Sequence, residues 1–149
     1  MSTPDVRFET TLHIRDTCLC LHIQRAARAL ARRFDEALRP VGLTHGQFSL
    51  MMALNRPEPA AIGPLASLLA LDRTTLTAAL KVLQRRGLAQ VAVDPKDRRN
   101  RRISLTPEGR SLLAQALPIW EQAHGQAEGL LAGSDADRLR EDLKALSAA

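Results

Sequence analysis

Between residues 65 and 110 the sequence leaves room for little besides a helix, a tight turn, a second helix and a basic hairpin. Asp72 stands directly before Arg73-Thr74-Thr75-Leu76-Thr77, a helix start with three hydroxyls and a guanidinium in its first turn. Leu76, Leu80 and Leu83 then recur at helical spacing over residues 73–86, which places Arg73, Thr74, Thr77, Ala78 and Lys81 on the opposite side. Asp72 is the expected N-cap and Gly87 the expected stop. Residues 89–93 and 102–105 read as short strands around the tip Asp94-Pro95-Lys96-Asp97-Arg98-Arg99-Asn100-Arg101-Arg102. A polar, partly basic helix start beside an arginine-rich hairpin suits a double-stranded nucleic acid. The helix would enter the major groove, and an arginine the minor groove or a phosphate position.

Charge supports the same segment. The chain of 149 residues carries a net +5, unevenly: +2 over residues 1–71, +6 over 72–110 and −3 over 111–149. Positive potential concentrated on the reading segment is the expected electrostatic footprint on DNA. No apolar run approaches the roughly 18 residues that would span a bilayer. The N-terminal Met1-Ser-Thr-Pro-Asp lacks the basic and apolar stretches of a secretory signal, so a cytoplasmic protein with reduced cysteines is expected.

The chain has four aromatic residues (Phe8, Phe34, Phe48 and Trp120) and no tyrosine, so leucine and alanine must supply the core. One long amphipathic helix is expected over 11–38, with Leu19, Ile23, Ala27, Leu30, Phe34 and Leu38 as its stripe. Arg25, Arg28, Arg32, Arg33 and Asp35 fall on its wetter side. Thr44 is a good N-cap for a helix over 45–54, and Pro57, Pro59, Gly63 and Pro64 read as a loop. A short helix over 64–71 follows, with Leu65, Leu68 and Leu69 inward. Thr106-Pro107 opens a helix to about residue 131, with a kink expected at Pro118, and a last helix covers 135–147. The fold class is mainly α, a winged helix-turn-helix with a two-stranded β-wing, in one domain over 1–149. Residues 44–105 form the DNA-binding module, and the flanking helices 11–38 and 107–147 expose stripes that a second chain would bury, which predicts a two-fold dimer.

Several short matches occur in one order along this frame. They are Gly42-Leu43-Thr44 with Gln47-Phe48, Leu65-Ala66-Ser67-Leu68-Leu69, Thr74-Thr75-Leu76-Thr77, Leu83-x-x-Arg86-Gly87-Leu88, Asp94-Pro95-x-Asp97-Arg98-Arg99 and Leu105-Thr106-x-x-Gly109. Together they resemble the MarR (multiple antibiotic resistance regulator) family over nearly the whole chain. The resemblance implies a homodimeric regulator, most often a repressor, that binds a pseudo-palindromic operator and is released by a small molecule or by oxidation. It casts Arg99 as the wing arginine for the minor groove, Asp97 as the acid that orients it, and Thr74, Thr75 and Thr77 as reading positions. It places Ser67 on a backbone phosphate. Arg73, Lys81, Arg98 and Arg101 complete the expected DNA-binding set. Ala78 and Val91-Ala92-Val93 stand where relatives commonly carry arginine, which shifts the expected readout toward phosphates and DNA shape.

Two switches are open. A ligand pocket of the kind the family uses for aromatic carboxylates would be lined here by His13, His22, Phe48, Met51 and Trp120, with Arg15 or His45 as carboxylate partner. Phe48, Met51 and Trp120 equally suit plain core. The second switch is a thiol. Cys20 stands where the organic-hydroperoxide-sensing branch of the family carries its reactive cysteine, although that branch's two tyrosines are here Gln24 and Phe34. Cys20 also suits a small buried hydrophobe, and Cys18 lies on a different side of the same expected helix. A further reading, of another class, is a winged-helix module that holds only protein partners. No metal-ligand spacing, phosphate loop or nucleophile elbow is present, so no cofactor and no enzymatic activity are expected.

Overall fold

Caps set the bounds of the central elements in the computed structural model, which describes residues 5–148. The first four residues, read above for a signal, and residue 149 lie outside the described part. The chain divides into two compact units, Met1–Arg33 and Phe34–Ala149. In the first unit, helix α1 covers Phe8–Thr17 and helix α2 begins at Leu19, running on to Leu38. The single long helix expected over 11–38 is therefore two. Cys18 separates them in an extended conformation (φ −66°, ψ 112°). Thr17 donates its hydroxyl to the His13 carbonyl at 2.7 Å, a local bond of the kind that competes with helix continuation. No residue of α1 is buried, and Leu19 of α2 is exposed.

The second unit holds the core. Arg39–Val41 form one 3-10 turn, and Gly42 takes a left-handed conformation (φ 70°) to redirect the chain. Helix α3, His45–Leu54, opens with a reciprocal capping box between Thr44 and Gln47. Phe48, Leu50, Met51 and Leu54 are its buried residues. A two-residue strand, β1 (Ala60–Ala61), leads straight into helix α4, Ile62–Leu69. That helix starts two residues earlier than its proline suggested, because Pro64 lies in the first turn, where a missing N–H costs no internal bond. Leu65 is buried, but Leu68 points outward with 67% exposure, against the expected inward set. Ala66 takes its place in the core.

Helix α5, Arg73–Arg85, follows with Asp72 as N-cap and Leu76, Leu80 and Leu83 buried. Burying each leucine contributes about 1.5–3 kcal/mol, enough to fix which face turns outward. Strands β2 (Ala89–Val93) and β3 (Arg101–Leu105) pair as an antiparallel hairpin, Ala89 opposite Leu105 and Val93 opposite Arg101. β1 adds to the other edge of β3, Ala60 opposite Ile103, so the wing's two strands belong to a three-stranded sheet in the order β1-β3-β2. Helix α6, Pro107–Gly129, is capped by Thr106 and remains one helix through Pro118. Helix α7, Ala136–Ser147, is capped by Asp135 and has no buried residue.

Candidate nucleic-acid interface

The start of α5 is fastened before it can meet a ligand. Asp72 accepts the Thr75 backbone N–H at 2.7 Å and the Thr75 hydroxyl at 2.9 Å. These bonds, the backbone one foremost, hold the Asp72 carboxyl below its ordinary range. Thr75, expected as a reading position, thus spends its hydroxyl proton on the cap and keeps only acceptor lone pairs for another partner. Arg73, Thr74 and Lys81 are exposed and Thr77 is half-buried. Together with Ala78, Val82 and Arg85 they line one shallow cleft along the outer face of α5. Arg85 extends this face by a turn beyond the positions marked in the sequence. Ser67 is exposed on α4, as its predicted role needs.

The turn between α4 and α5 carries the sole positive-φ residue other than glycine among the described residues, Ala70 (φ 53°). Leu71 N–H closes back on the Ala66 carbonyl at 3.0 Å. A left-handed residue there ends α4 and lets Asp72 cap α5 within three residues.

The wing tip is built by two aspartates. Asp94 is buried, at 5% exposure, and accepts from the Lys96 backbone N–H at 2.9 Å and from Arg102 Nε at 3.1 Å. Arg102 Nη2 reaches the same carboxylate oxygen at 3.0 Å, a two-nitrogen grip on one anion. The Lys96 amide first, and Arg102 after it, keep the Asp94 carboxyl below the usual carboxylate range, against the opposing effect of burial. Asp94 N–H in turn donates to the Asn100 carbonyl at 3.1 Å, closing the loop.

Asp97 was expected to orient Arg99, and the bonds it makes are local. Its carboxylate accepts the Arg99 backbone N–H at 3.1 Å and the Asn100 amide at 3.4 Å, and the described bonds do not include the Arg99 guanidinium. Arg101 donates to the Arg98 carbonyl at 3.0 Å. Arg98, Arg99 and Arg101 are all exposed on this tip. Asp94 and Arg102 were not singled out in the sequence. The signal available was an acid at the end of one wing strand and an arginine within the other.

Two further contacts join the module. Gln47 accepts both the Thr44 N–H at 3.0 Å and Arg86 Nη1 at 3.3 Å, tying the end of α5 to the start of α3. His45 donates its backbone N–H to Asp35 at 2.7 Å, with its Nδ1 on the same oxygen at 2.8 Å. The backbone bond chiefly holds the Asp35 carboxyl below its ordinary value. His45, expected as a carboxylate partner for an effector, is thus engaged by a carboxylate of its own chain.

Phe48 and Met51 are core residues, at 6% and 0% exposure. Trp120 is half-buried and stacks between Phe48 (centroids 6.0 Å apart) and His124 (4.6 Å). Arg15 pairs with Asp16 at 2.8 Å, and His13 is exposed on α1. His22 lines a cleft along α2 with Arg25, Ala26, Arg28, Ala29 and Arg32. Cys18 is half-buried and Cys20 exposed, both free thiols, so Cys20 is not a buried hydrophobe within this chain. Among the described residues, no group of three or more His, Cys, Asp or Glu is placed to hold a metal, and no helix is long and apolar enough to cross a membrane.

Comparison with known proteins places this geometry in a family. A family model described as "MarR family" matches residues 41–100, the stretch from the 3-10 turn to the wing tip. The regulator TtmR of Methylorubrum extorquens is 35% identical over 97 residues, covering 65% of this chain and 50% of TtmR. The chain spans about half the length of the curated relatives it matches. The M. tuberculosis transcriptional regulator MosR in complex with DNA superposes with a TM-score of 0.77 at 39% identity, covering 87% of this chain and 93% of MosR. BpsR of Bordetella bronchiseptica, whose DNA binding is regulated by 6-hydroxynicotinic acid, superposes with a TM-score of 0.76 at 25% identity, covering 88% and 94%. With a winged helix-turn-helix of matching architecture and a relative aligned over nearly its full length, this chain belongs to the MarR family of transcription regulators.

Proposed function

We propose that this protein is a sequence-specific DNA-binding regulator that acts as a homodimer in the cytoplasm, represses transcription, and is released by a small aromatic carboxylate. The observation that carries the DNA-binding reading is the outer face of α5. Arg73, Thr74 and Lys81 are exposed, with Thr77 half-buried among them, on a helix whose other side is fixed by three buried leucines, and the wing tip exposes Arg98, Arg99 and Arg101. The helix supplies hydrogen-bonding groups for base edges, and the arginines supply charge for phosphate and minor groove. Ser67 adds a phosphate contact from α4, and Asp97 sets the backbone from which Arg99 projects.

Exposed apolar residues at both ends of the chain support the dimer. Phe8, Ile14 and Leu19 near the N-terminus, and Leu139, Leu143 and Leu146 on α7, are each 38–69% exposed in the single chain. A second copy would cover such faces, and two-fold pairing would set the two reading helices about one turn of DNA apart. The aromatic-carboxylate reading draws on the likeness to BpsR and its 6-hydroxynicotinic acid.

The test is binding of the purified protein to duplexes from its own upstream region, followed by anisotropy over a range of salt. Arg99→Ala is expected to weaken binding to all duplexes and to lower the slope of log K against log salt by about one. Unchanged affinity in that variant would refute the DNA reading and favour a winged-helix module that holds protein partners. Adding aromatic acids to the complex then reports release, with Trp120 fluorescence as a second readout of ligand.

A further inference from the structure

Helix α2 carries a row of cations that no acid answers. From Thr17 to Phe34 the sequence contains four arginines and His22 but neither aspartate nor glutamate. His22, Arg25, Arg28 and Arg32 line a single open cleft with a volume of about 620 Å³, floored by the small side chains of Ala26 and Ala29. His22 is fixed there by its Nδ1, 2.8 Å from the Cys18 carbonyl at the break before the helix. None of the three arginines takes part in a salt bridge or side-chain hydrogen bond among the described residues. On α7, by contrast, Arg138, Arg140 and Lys144 each pair with an acid of the same chain. Like charges three and four residues apart destabilise a helix by a few tenths of a kcal/mol each, so the row is unfavourable unless something neutralises it.

We propose that this row is a binding site for a small organic polyanion carrying two or more phosphoryl groups. Guanidinium forks match phosphate oxygens in pairs, and their charge persists at any working pH. Arg25, Arg28 and Arg32 lie within seven residues of one helix, about 10 Å of axial rise, which suits anionic groups spread along a ligand rather than one point charge. Alanines between the arginines leave the helix surface open to the ligand. The site lies outside the DNA-reading segment, and the inference stands whether or not the DNA reading does.

The experiment is calorimetric titration of the full-length protein with inorganic tripolyphosphate, and with citrate as a non-phosphate polyanion, at fixed ionic strength. Three proteins are compared: wild type, Arg25→Gln/Arg28→Gln, and the wing variant Arg99→Ala/Arg101→Ala. Tripolyphosphate is expected to bind wild type and the wing variant alike, at least tenfold more tightly than citrate, and to bind the α2 variant at least tenfold more weakly. Equal affinity for wild type and the α2 variant would overturn the proposal. So would loss confined to the wing variant, which would place the anion on the DNA-reading surface. If the α2 variant instead loses DNA affinity with a shallower salt slope and no change in tripolyphosphate binding, the row is a DNA contact and the small-ligand site is refuted. Far-ultraviolet circular dichroism confirms that the glutamine variant keeps its helices.

Discussion

Gly109 and Gly125 lie in the same helix, yet alanine at the two positions should act with opposite sign. Gly109 is buried in the first turn of α6, and a Cβ there would collide with the backbone carbonyl of Leu88. That carbonyl accepts the Thr106 N–H at 3.1 Å, so it is held in place and has no rotamer through which to yield. Overpacking of this kind costs about 1–3 kcal/mol, and loosening the Thr106–Leu88 bond adds about 1 kcal/mol. Alanine's better helix propensity offsets roughly 1 kcal/mol of that. The net for Gly109→Ala is a loss of about 1–3 kcal/mol, or a fall in Tm of roughly 2–12 °C for a chain of this size. Gly125 has nothing within 4 Å of the added methyl. Gly125→Ala should therefore gain about 0.5–1 kcal/mol from propensity alone. Urea denaturation of the three proteins at one concentration measures both. A Gly109→Ala protein as stable as wild type would show that the close approach of α6 to the end of α5 is not tight, and the packing argument would fall.

Other substitutions address the core, the wing and the thiols. Leu76→Ala, at a position with 0% exposure, should cost about 2–5 kcal/mol by the same denaturation assay, and a cost under 1 kcal/mol would mean that the site collapses around the cavity. Asp94 has a folded-state pKa below its unfolded value, so its stabilising effect is full above the ordinary aspartate range and is lost as pH falls through the lowered folded value. Asp94→Asn should remove that part of the acid-denaturation curve below about pH 4, and a curve that parallels wild type throughout would contradict the role given to its bonds. Replacing both Cys18 and Cys20 by serine should leave release of DNA by an aromatic acid intact. Release by peroxide that disappears in this double variant would instead assign the switch to the thiols.

Local chemistry made the centre of the chain legible. Thr44, Asp72 and Thr106 are N-caps whose side chains each accept the predicted kind of backbone bond, and Gly87 takes the left-handed conformation (φ 73°) just past α5. These are interactions between near neighbours, and the residue types announce them. The misses depend on distant partners. Strand β1 is two alanines with no periodicity of their own, and it exists because Ile103 and Arg102 offer a free edge. The break at Cys18 has no proline or glycine to signal it. At the wing, the resemblance paired Asp97 with Arg99, and two residues apart in a tight turn the Asp97 carboxylate meets the Arg99 amide. His45 shows a related limit: a histidine in sequence does not say whether a neighbour in space, here Asp35, has already engaged it.

Thr106 joins three elements with three bonds. Its hydroxyl donates to the Gly87 carbonyl and accepts the Gly109 N–H, while its own N–H donates to Leu88. The end of the reading helix, the root of the wing and the start of α6 therefore meet at one pivot instead of being strung on separate linkers. A twist applied anywhere along the 23 residues of α6 arrives at α5 and β2 through the same joint. Such a joint cannot move the helix without moving the wing. If the proposed DNA-binding role holds, the reading helix and the wing would then leave or enter the duplex together rather than one after the other.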